Sequence, residues 1–500
     1  MKEGLIIPNN SEVLSGLIEG VVLDEGLTPI IIIGEDVETG ETFYLTKEEL
    51  ESNIAVIGYT YDTISTNLRL IEERWEVGDN YLILDYNGLY TRLMHVIPSL
   101  RVFRAGIDFS IRLFDHEPLD IETYKHFLTN VMTAYLRLGN TEQRLLYTAI
   151  TELYERFGQR ASILDFIITI RDLEETPTLT AQEYSKIDSL MRAIAPLLKG
   201  RTATAFTHEP QIPLDSLFEG INLIDLSRIA PEYRSIIAAL ILMKCLKVKK
   251  SCTILISEAQ ALFPEDRDQF LTDLYTIIDK AHLKGISLHI SSTTLSSLSS
   301  SIINRIGLLL VHRTLNYQDL RLLSQLCHRY AIQELYEGET LILSRSRGVI
   351  KVRVYAPRSQ EFEVPTDNEI EEHMEKLGIR LTKLKEMELP RITLLERDFR
   401  EYAEYVYKLL RALTEQIMTR GEAISLLKDE GLSTDIASQL LDATQILGYL
   451  KEDYVSGRRI LVLTRKAVLA IDEYEAKVKA VEARDILKNI KGRGDENGKG

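Results

Sequence analysis

Cysteine is scarce in this chain, three in 500 residues. Cys245, Cys252 and Cys327 stand at no spacing that suits a metal and lie in apolar surroundings such as Ile241-Leu242-Met243-Lys244-Cys245-Leu246. Buried reduced thiols follow, and a zinc site does not. Long apolar runs are also missing. Nothing approaches the roughly 18–20 uninterrupted apolar residues that span a bilayer, and the start Met1-Lys2-Glu3-Gly4 lacks a basic segment followed by an apolar one. The expectation is a soluble, cytoplasmic protein without membrane insertion. Positive charge is in short supply as well, 59 Lys and Arg against 75 Asp and Glu, a formal balance of −16. Phosphate-gripping surfaces concentrate Lys and Arg, so this balance argues against nucleic acid wrapped around the outside. A local basic channel formed by loops in an oligomer remains compatible with it. What is abundant is core material. Five hundred residues with 45% hydrophobic content exceed what one core holds and imply two or three domains.

Residues 1–50 read as short strands joined by turns, at Leu5–Ile7, Val21–Leu23, Pro29–Gly34 and Thr42–Leu45, with Asp24-Glu25-Gly26 and Glu38-Thr39-Gly40-Glu41 between them. The expectation is a small barrel-like cap. From Asn53 the pattern becomes buried apolar runs alternating with helical stretches, which is how a parallel sheet covered by helices reads. The core strands predicted are Ile54–Gly58, Tyr81–Asp85, Ile221–Leu226, Thr253–Ile256, Ser287–Ser291 and Gly307–Val311, closed by a hairpin of Glu339–Leu343 and Val349–Tyr355. The core therefore comes in two parts, 51–111 and 205–358, with a helical insertion over 112–204. A polar strap over 359–395, punctuated by Pro365 and Pro390, leads to a second module over 396–485. Three helices there (Glu396–Ile417, Thr419–Glu430, Thr434–Leu447) precede the basic turn Tyr454–Arg459 and a strand, the layout of a winged helix. The Gly- and charge-rich tail, 486–500, is expected to be disordered.

The chemistry begins at the first core strand. Asn53-Ile54-Ala55-Val56-Ile57 runs into Gly58-Tyr59-Thr60-Tyr61-Asp62-Thr63-Ile64-Ser65 and then a helix from Thr66. A strand, a turn and a helix in that order can cradle phosphate on backbone amides, with a Lys on the β/γ oxygens and a Ser or Thr on magnesium. This stretch resembles the HerA-like ATPases of the HerA/FtsK superfamily, whose strand is followed by Gly-Thr-Thr-Gly-Ser-Gly-Lys-Ser-Asn, and it aligns without a gap. Gly58, Thr60 and Ser65 match. Tyr61 and Thr63 replace glycines that allow close backbone approach, Ile64 replaces the Lys, and Asp62 adds negative charge. Losing the Lys forfeits a charge-assisted contact of roughly 1.5–3 kcal/mol.

The same likeness recurs downstream. Leu82–Tyr90 resembles the family's apolar-Asp-x-x-Gly-Glu-Tyr segment, with Asp85 kept and Leu89 in place of the acid. In the Walker B strand, Ile254-Leu255-Ile256-Ser257-Glu258-Ala259, Ser257 replaces the magnesium-binding Asp while the water-activating Glu survives as Glu258. Ile290–Thr294 is similar to the sensor strand, with Thr294 in place of its amide, and Leu310–Asp319 keeps an Arg, Arg313, that can act on a neighbouring subunit's nucleotide. The resemblance covers about 42–110 and 205–356. It implies an α/β fold with a RecA-like P-loop core, a helical insertion, a small amino-terminal β region and a carboxy-terminal winged helix. It also implies an oligomer, of this chain or with a HerA-like ATPase, and a nuclease or DNA as further partner.

With the Lys, the Asp and the sensor amide absent together, the expected function is that of a catalytically inactive subunit acting by assembly in DNA processing, repair or transport. No cofactor is expected then. Two alternatives stand beside it: an active DNA translocase, which would use ATP and magnesium in a rearranged site, and a winged-helix DNA-binding scaffold. For the last, Thr434–Asp442 carries two acids and no base, while Lys451, Arg458, Arg459, Arg465 and Lys466 gather at the wing. The run Lys247-Val248-Lys249-Lys250 reads as a solvated helix end, and His328 as an ordinary helix residue.

Overall fold

The computed structural model describes residues 29–173, 181–208, 210, 212–324, 332–386, 393–455 and 458–475. The strands expected at Leu5–Ile7 and Val21–Leu23, Cys327, His328 and the tail lie outside these. The chain divides into two compact units, Met1–Leu389 and Pro390–Gly500.

In the first unit the strands are β1 (Pro29–Asp36), β2 (Thr42–Thr46), β3 (Asn53–Ile57), β4 (Tyr81–Asp85), β5 (Arg101–Arg104), β6 (Ile221–Asp225), β7 (Cys252–Ile256), β8 (Ile286–Ser292), β9 (Ile306–Val311), β10 (Glu339–Ser344) and β11 (Gly348–Val354). They form one sheet in the order β2-β1-β11-β10-β9-β3-β8-β7-β4-β6-β5. From β9 to β5 every neighbouring pair is parallel, whereas β10, β11, β1 and β2 add on antiparallel. Residues of β3, β4, β6 and β7 are buried throughout. Both faces of these strands are covered, which is why they read as unbroken apolar runs.

The helices that cover the sheet are α1 (Lys47–Glu51), α2 (Thr60–Glu76), α3 (Ile121–Tyr135), α4 (Asn140–Phe157), α5 (Ile163–Asp172), α6 (Ala181–Ile194), α7 (Gly200–Thr207), α8 (Pro231–Lys244), α9 (Ala259–Leu262), α10 (Thr272–His282), α11 (Ser300–Ile303), α12 (Tyr317–Ser324) and α13 (Asp367–Lys376). Helices α3 to α7 all fall between β5 and β6, where the helical insertion was expected. Helix α8 enters on Pro231, whose missing N–H costs nothing at that position, and is buried on nearly all sides between α3 and α10.

Two expectations change. The described part of the expected cap is no barrel of its own, because β1 pairs with β11 and extends the main sheet, while residues 47–51 are helical. Its partner strand lies some three hundred residues away, beyond the reach of local pattern. The strap is also more structured than its polarity suggests. Helix α13 buries Ile370 and Met374, and buried Arg104 at the end of β5 holds it through Asp367 (3.1 Å) and Glu371 (3.1 Å) while also paired to Asp108.

The second unit has helices α14 (Leu394–Phe399), α15 (Ala403–Glu415), α16 (Arg420–Asp429) and α17 (Thr434–Ile446), then an antiparallel pair β12 (Leu450–Val455) and β13 (Arg458–Leu463), then a helix over 465–475. The expected single helix Glu396–Ile417 is broken at Arg400, whose φ of 47° is left-handed. Capping boxes at Thr393–Glu396 and Thr419–Glu422 start α14 and α16. Val406, Leu409, Leu410, Leu427, Leu441 and Tyr449 fill the core of this unit.

Candidate nucleotide site

The predicted loop is where structure and expectation part most sharply. Helix α2 starts at Thr60, not Thr66, so only Gly58 and Tyr59 separate it from β3. The Thr63 N–H already donates to the Tyr59 carbonyl at 3.0 Å, and the Thr63 hydroxyl to the Thr60 carbonyl at 3.0 Å. Seven of the nine positions aligned with a phosphate loop therefore lie in the first turns of a helix. Thr60–Ser65 contains no glycine, the residue that would hold an open loop at this point. Asp62, which looked hostile to phosphate, sits in the first helical turn, where a carboxylate complements the helix dipole.

These first turns line a cleft of about 380 Å³, bounded by Thr60, Tyr61, Ile64, Ser65, Leu68, Leu89, Arg92 and Gln360. Gln360 spans it: its Oε1 accepts from the Ser65 hydroxyl at 3.0 Å and its Nε2 donates to the Tyr61 hydroxyl. Gln360 comes from the expected strap, and its neighbours are anchored on α2. Fully buried Glu72 accepts from Ser359 N (2.8 Å), Ser359 Oγ (2.6 Å) and Arg358 N (2.9 Å).

The other predicted residues lie at the ends of neighbouring strands. Asp85 is fully buried and accepts three backbone N–H groups, from Asn87 (3.1 Å), Gly88 (2.9 Å) and Tyr90 (2.8 Å). Gly88 has a φ of 74°, which lets the turn fold back onto that carboxylate. Beside it in register stands Asp225 of β6. Burial first, and then the neighbouring charge of Asp225, raise the Asp85 pKa to about 7 despite its three donors. Arg234 ties the surrounding turns together through the carbonyls of Tyr86, Ser227 and Ile229.

Ser257 is buried and joins β7 to β4, accepting from Tyr86 N at 2.9 Å and donating to the Leu84 carbonyl at 3.2 Å. Glu258 adopts a left-handed conformation, φ 61° and ψ 47°, and is held by Asn87 Nδ2 (2.9 Å) and Gln260 Nε2 (2.6 Å). Asn87 thus connects Glu258 to the Asp85 turn. Thr294 donates to Ser297 Oγ at 2.7 Å. Arg313 is exposed and has neither a hydrogen bond nor an ion pair among the described residues. Strands β3 and β9 end in register at Ile57 and Val311, so Arg313 leaves the sheet level with Tyr59. None of Asp85, Ser257, Glu258, Thr294 and Arg313 lines the cleft.

Sequence reasoning missed Gln360, Arg92, Asp225 and His312. Asp225 carried a signal, since Leu223-Ile224-Asp225 repeats the strand-end pattern of Ile83-Leu84-Asp85. His312 is buried against Gly58, donating from Nδ1 to the Glu339 carbonyl (3.0 Å) and accepting from Thr66 Oγ1 (2.9 Å), and burial lowers its pKa. A larger cavity of about 720 Å³ lies at the other ends of the strands, by Asn80, Cys252 and Ser287, and includes no predicted site residue. Among the described residues no cluster of His, Cys, Asp and Glu could hold a metal, and no helix is long and apolar enough to cross a membrane.

In the second unit Lys451, Arg458 and Arg465 are exposed, Arg459 stacks on Tyr454 and pairs with Glu452 (3.6 Å), and Lys466 pairs with Asp398 (3.2 Å). The turn residues Ser456 and Gly457 lie outside the described set. The run before β7 is neutralised, with Lys247 on Glu117 and Lys250 on Glu219 (3.1 Å).

One feature of the sheet decides the fold. Strand β8 stands between β3, which leads into the candidate loop, and β7, which carries Ser257 and Glu258. VirB4 of Thermoanaerobacter pseudethanolicus is similar in structure, with a TM-score of 0.54 and 13% identity over 69% of this chain and 100% of that one. The chain has a RecA-like P-loop fold. Weaker likenesses are to the plasmid coupling protein TrwB in complex with the GTP analogue GDPNP (TM-score 0.47, 11% identity, 68% of this chain and 98% of that one). Another is to the genome packaging NTPase B204 from Sulfolobus turreted icosahedral virus 2 in complex with AMPPCP (TM-score 0.30, 12% identity, 60% and 96%). No family model and no curated protein matches the sequence. Within the P-loop fold the strand frame is complete, while the segment that would be the loop is helix.

Proposed function

We propose that this P-loop-fold chain has a retired nucleotide site and works by assembly, as a ring of its own or beside an active HerA-like ATPase, in DNA processing, repair or transport. The observation that carries the reading is the start of α2 at Thr60. A phosphate cradle needs several backbone amides free and converging, and a helix commits its amides to its own carbonyls after the first turn. The cleft beside α2 offers one cation, Arg92, and its Ser65 and Tyr61 hydroxyls are engaged by Gln360. Ser257 is spent joining two strands, in the place where magnesium needs a carboxylate. These residues do not fit ATP with magnesium.

Assembly is favoured by Arg313, an exposed cation with no hydrogen-bond or ion-pair partner among the described residues, set at the rim of the core. An Arg so placed can serve a neighbouring subunit's nucleotide. The second unit, with its winged-helix layout, suits protein contact better than DNA: α17 carries Asp435 and Asp442, and its neighbour Arg420 is paired to Asp442 at 2.7 Å.

Titration of the full chain with a fluorescent ATP analogue and magnesium, alongside phosphate release, tests the retired site. No saturation below about 1 mM is expected. A micromolar Kd with magnesium-dependent turnover abolished by Glu258→Gln would overturn it. Native mass spectrometry tests assembly, and a particle that stays a monomer alone and with a HerA-like ATPase counts against it. In a salt-titrated DNA-binding assay, Arg458→Glu with Arg459→Glu is expected to leave affinity unchanged.

A further inference from the structure

The cleft beside α2 retains features that no loss of nucleotide binding explains. Its volume of about 380 Å³ falls within the range of roughly 300–1,000 Å³ usual for small-molecule sites. Its body is apolar, made by Ile64, Leu68 and Leu89. Beside that wall stands Arg92, half-buried, with one hydrogen bond, from Nε to the Leu89 carbonyl (3.1 Å), and no ion pair among the described residues. A half-buried guanidinium beside an apolar wall, with no carboxylate paired to it, is a ready partner for an anionic group. The start of α2 lies in the same cleft through Thr60 and Tyr61, and no side chain caps it. Its free N–H groups and dipole add positive potential on the side where Arg92 stands.

We infer that this cleft binds a small amphipathic organic anion, an apolar or aromatic body bearing one carboxylate or sulfonate. The anionic group lies between Arg92 and the start of α2, and the body lies against Ile64, Leu68 and Leu89. A triphosphate is the wrong shape for it. It carries about four charges and needs a Lys and a metal, whereas one guanidinium and an apolar wall match a single charge with a greasy body. Gln360 is the closing element. Its bonds to Ser65 and Tyr61 span the cleft, and breaking them widens it without touching the apolar wall. The inference rests on the proposed function only in that no nucleotide competes for the cleft.

The test uses the full chain and the probe 1-anilinonaphthalene-8-sulfonate, an aromatic body with one sulfonate. Fluorescence titration is expected to show one saturable site per chain. Arg92→Gln should weaken it by about tenfold, Ile64→Trp should abolish it by filling the cleft, and Gln360→Ala should tighten or speed it. Circular dichroism confirms that each variant is folded; Arg92→Gln, on the cleft wall, keeps the test decisive if Ile64→Trp does not fold. Binding that is unchanged in folded Arg92→Gln, or that exceeds one site per chain, overturns the inference and leaves the retired-site reading intact. Displacement of a variant-sensitive probe by ATP with magnesium overturns the retired site and leaves the anion-binding cleft standing.

Discussion

Gly58 and His312 are packed so closely that a side chain at residue 58 has no room: a Cβ there would lie 2.6 Å from the His312 Cβ, and the backbone φ is +152°. This gives a packing reason for a glycine that matches the phosphate-loop pattern where the residues from Thr60 on are helical. The glycine serves packing between β3 and the residue that follows β9. Gly58→Ala is therefore expected to destabilise the first unit by about 1–3 kcal/mol, through overpacking and backbone strain. Gly421→Ala, a helical position with open space around it, should be neutral or stabilise by about 0.5–1 kcal/mol. Chemical denaturation followed by circular dichroism reads both. Equal effects at the two positions would show that the contact with His312 does not hold Gly58 in place.

The contrast between these glycines bears on what sequence can reveal. Strands such as Tyr81–Asp85 are legible because burial on both faces leaves no polar residue to break the apolar run. Strand β5 is not, since Arg101-Val102-Phe103-Arg104 is short and ends in charge, the buried Arg104 being paid for by partners at Asp367 and Glu371 far along the chain. The same distance hid Gln360 and Glu72, because no local pattern announces the pairing of residues 358–360 with α2. The helix start was misplaced because the aligned motif suggested a loop, whereas Thr60–Ser65 has no glycine to hold one open.

The buried carboxyl of Asp85 makes stability depend on pH. The folded Asp85 pKa, raised to about 7, exceeds the value near 4 of an unfolded chain, so the folded state binds more protons between these limits. Stability from this site is then greatest at low pH and declines as pH rises through about 7. Asp225→Asn removes the neighbouring charge and keeps an oxygen for Ser227 N, now 2.8 Å from Asp225 Oδ1. Relative to the native chain, the variant should gain stability as pH goes from about 5 to 8, on the order of 1–2 kcal/mol. Urea midpoints of the two proteins across this window decide it. A constant difference would mean that the charge of Asp225 does not raise the Asp85 pKa.

Glu72 clamps the strap to α2 from a fully buried position, with Ser359 and Arg358 supplying its donors. Replacing it with alanine leaves the buried N–H and hydroxyl of Ser359 unanswered, and Glu72→Ala should cost about 2–4 kcal/mol. Glu72→Gln, which keeps one acceptor oxygen, should cost less. Hydrogen exchange at Ser359 and Gln360 is expected to quicken in both, more so in the alanine variant. Unchanged exchange there would mean that the strap is held by other contacts, such as the stacking of Phe362 on His95 at 4.9 Å between ring centroids.

The last prediction separates lost side chains from lost backbone. If only the Lys were missing, Ile64→Lys would restore ATP binding, but residue 64 lies within α2 and its amide is committed to the helix. Ile64→Lys alone is therefore expected to bind nothing. Adding Tyr61→Gly, Thr63→Gly and Ser257→Asp changes the backbone as well. Each glycine weakens helix by about 1 kcal/mol at an end that no side chain caps, so the first turns can open into a loop. The fourfold variant should bind a fluorescent ATP analogue in the micromolar range with magnesium, and Gln360→Ala in that background should tighten it by freeing Ser65. Binding by Ile64→Lys alone would mean that the helix start opens without help, and the retirement of the site would then rest on one side chain. Failure of the fourfold variant, folded and with α2 shortened, would place the loss in the strand-end frame around Asp85 and Ser257 instead.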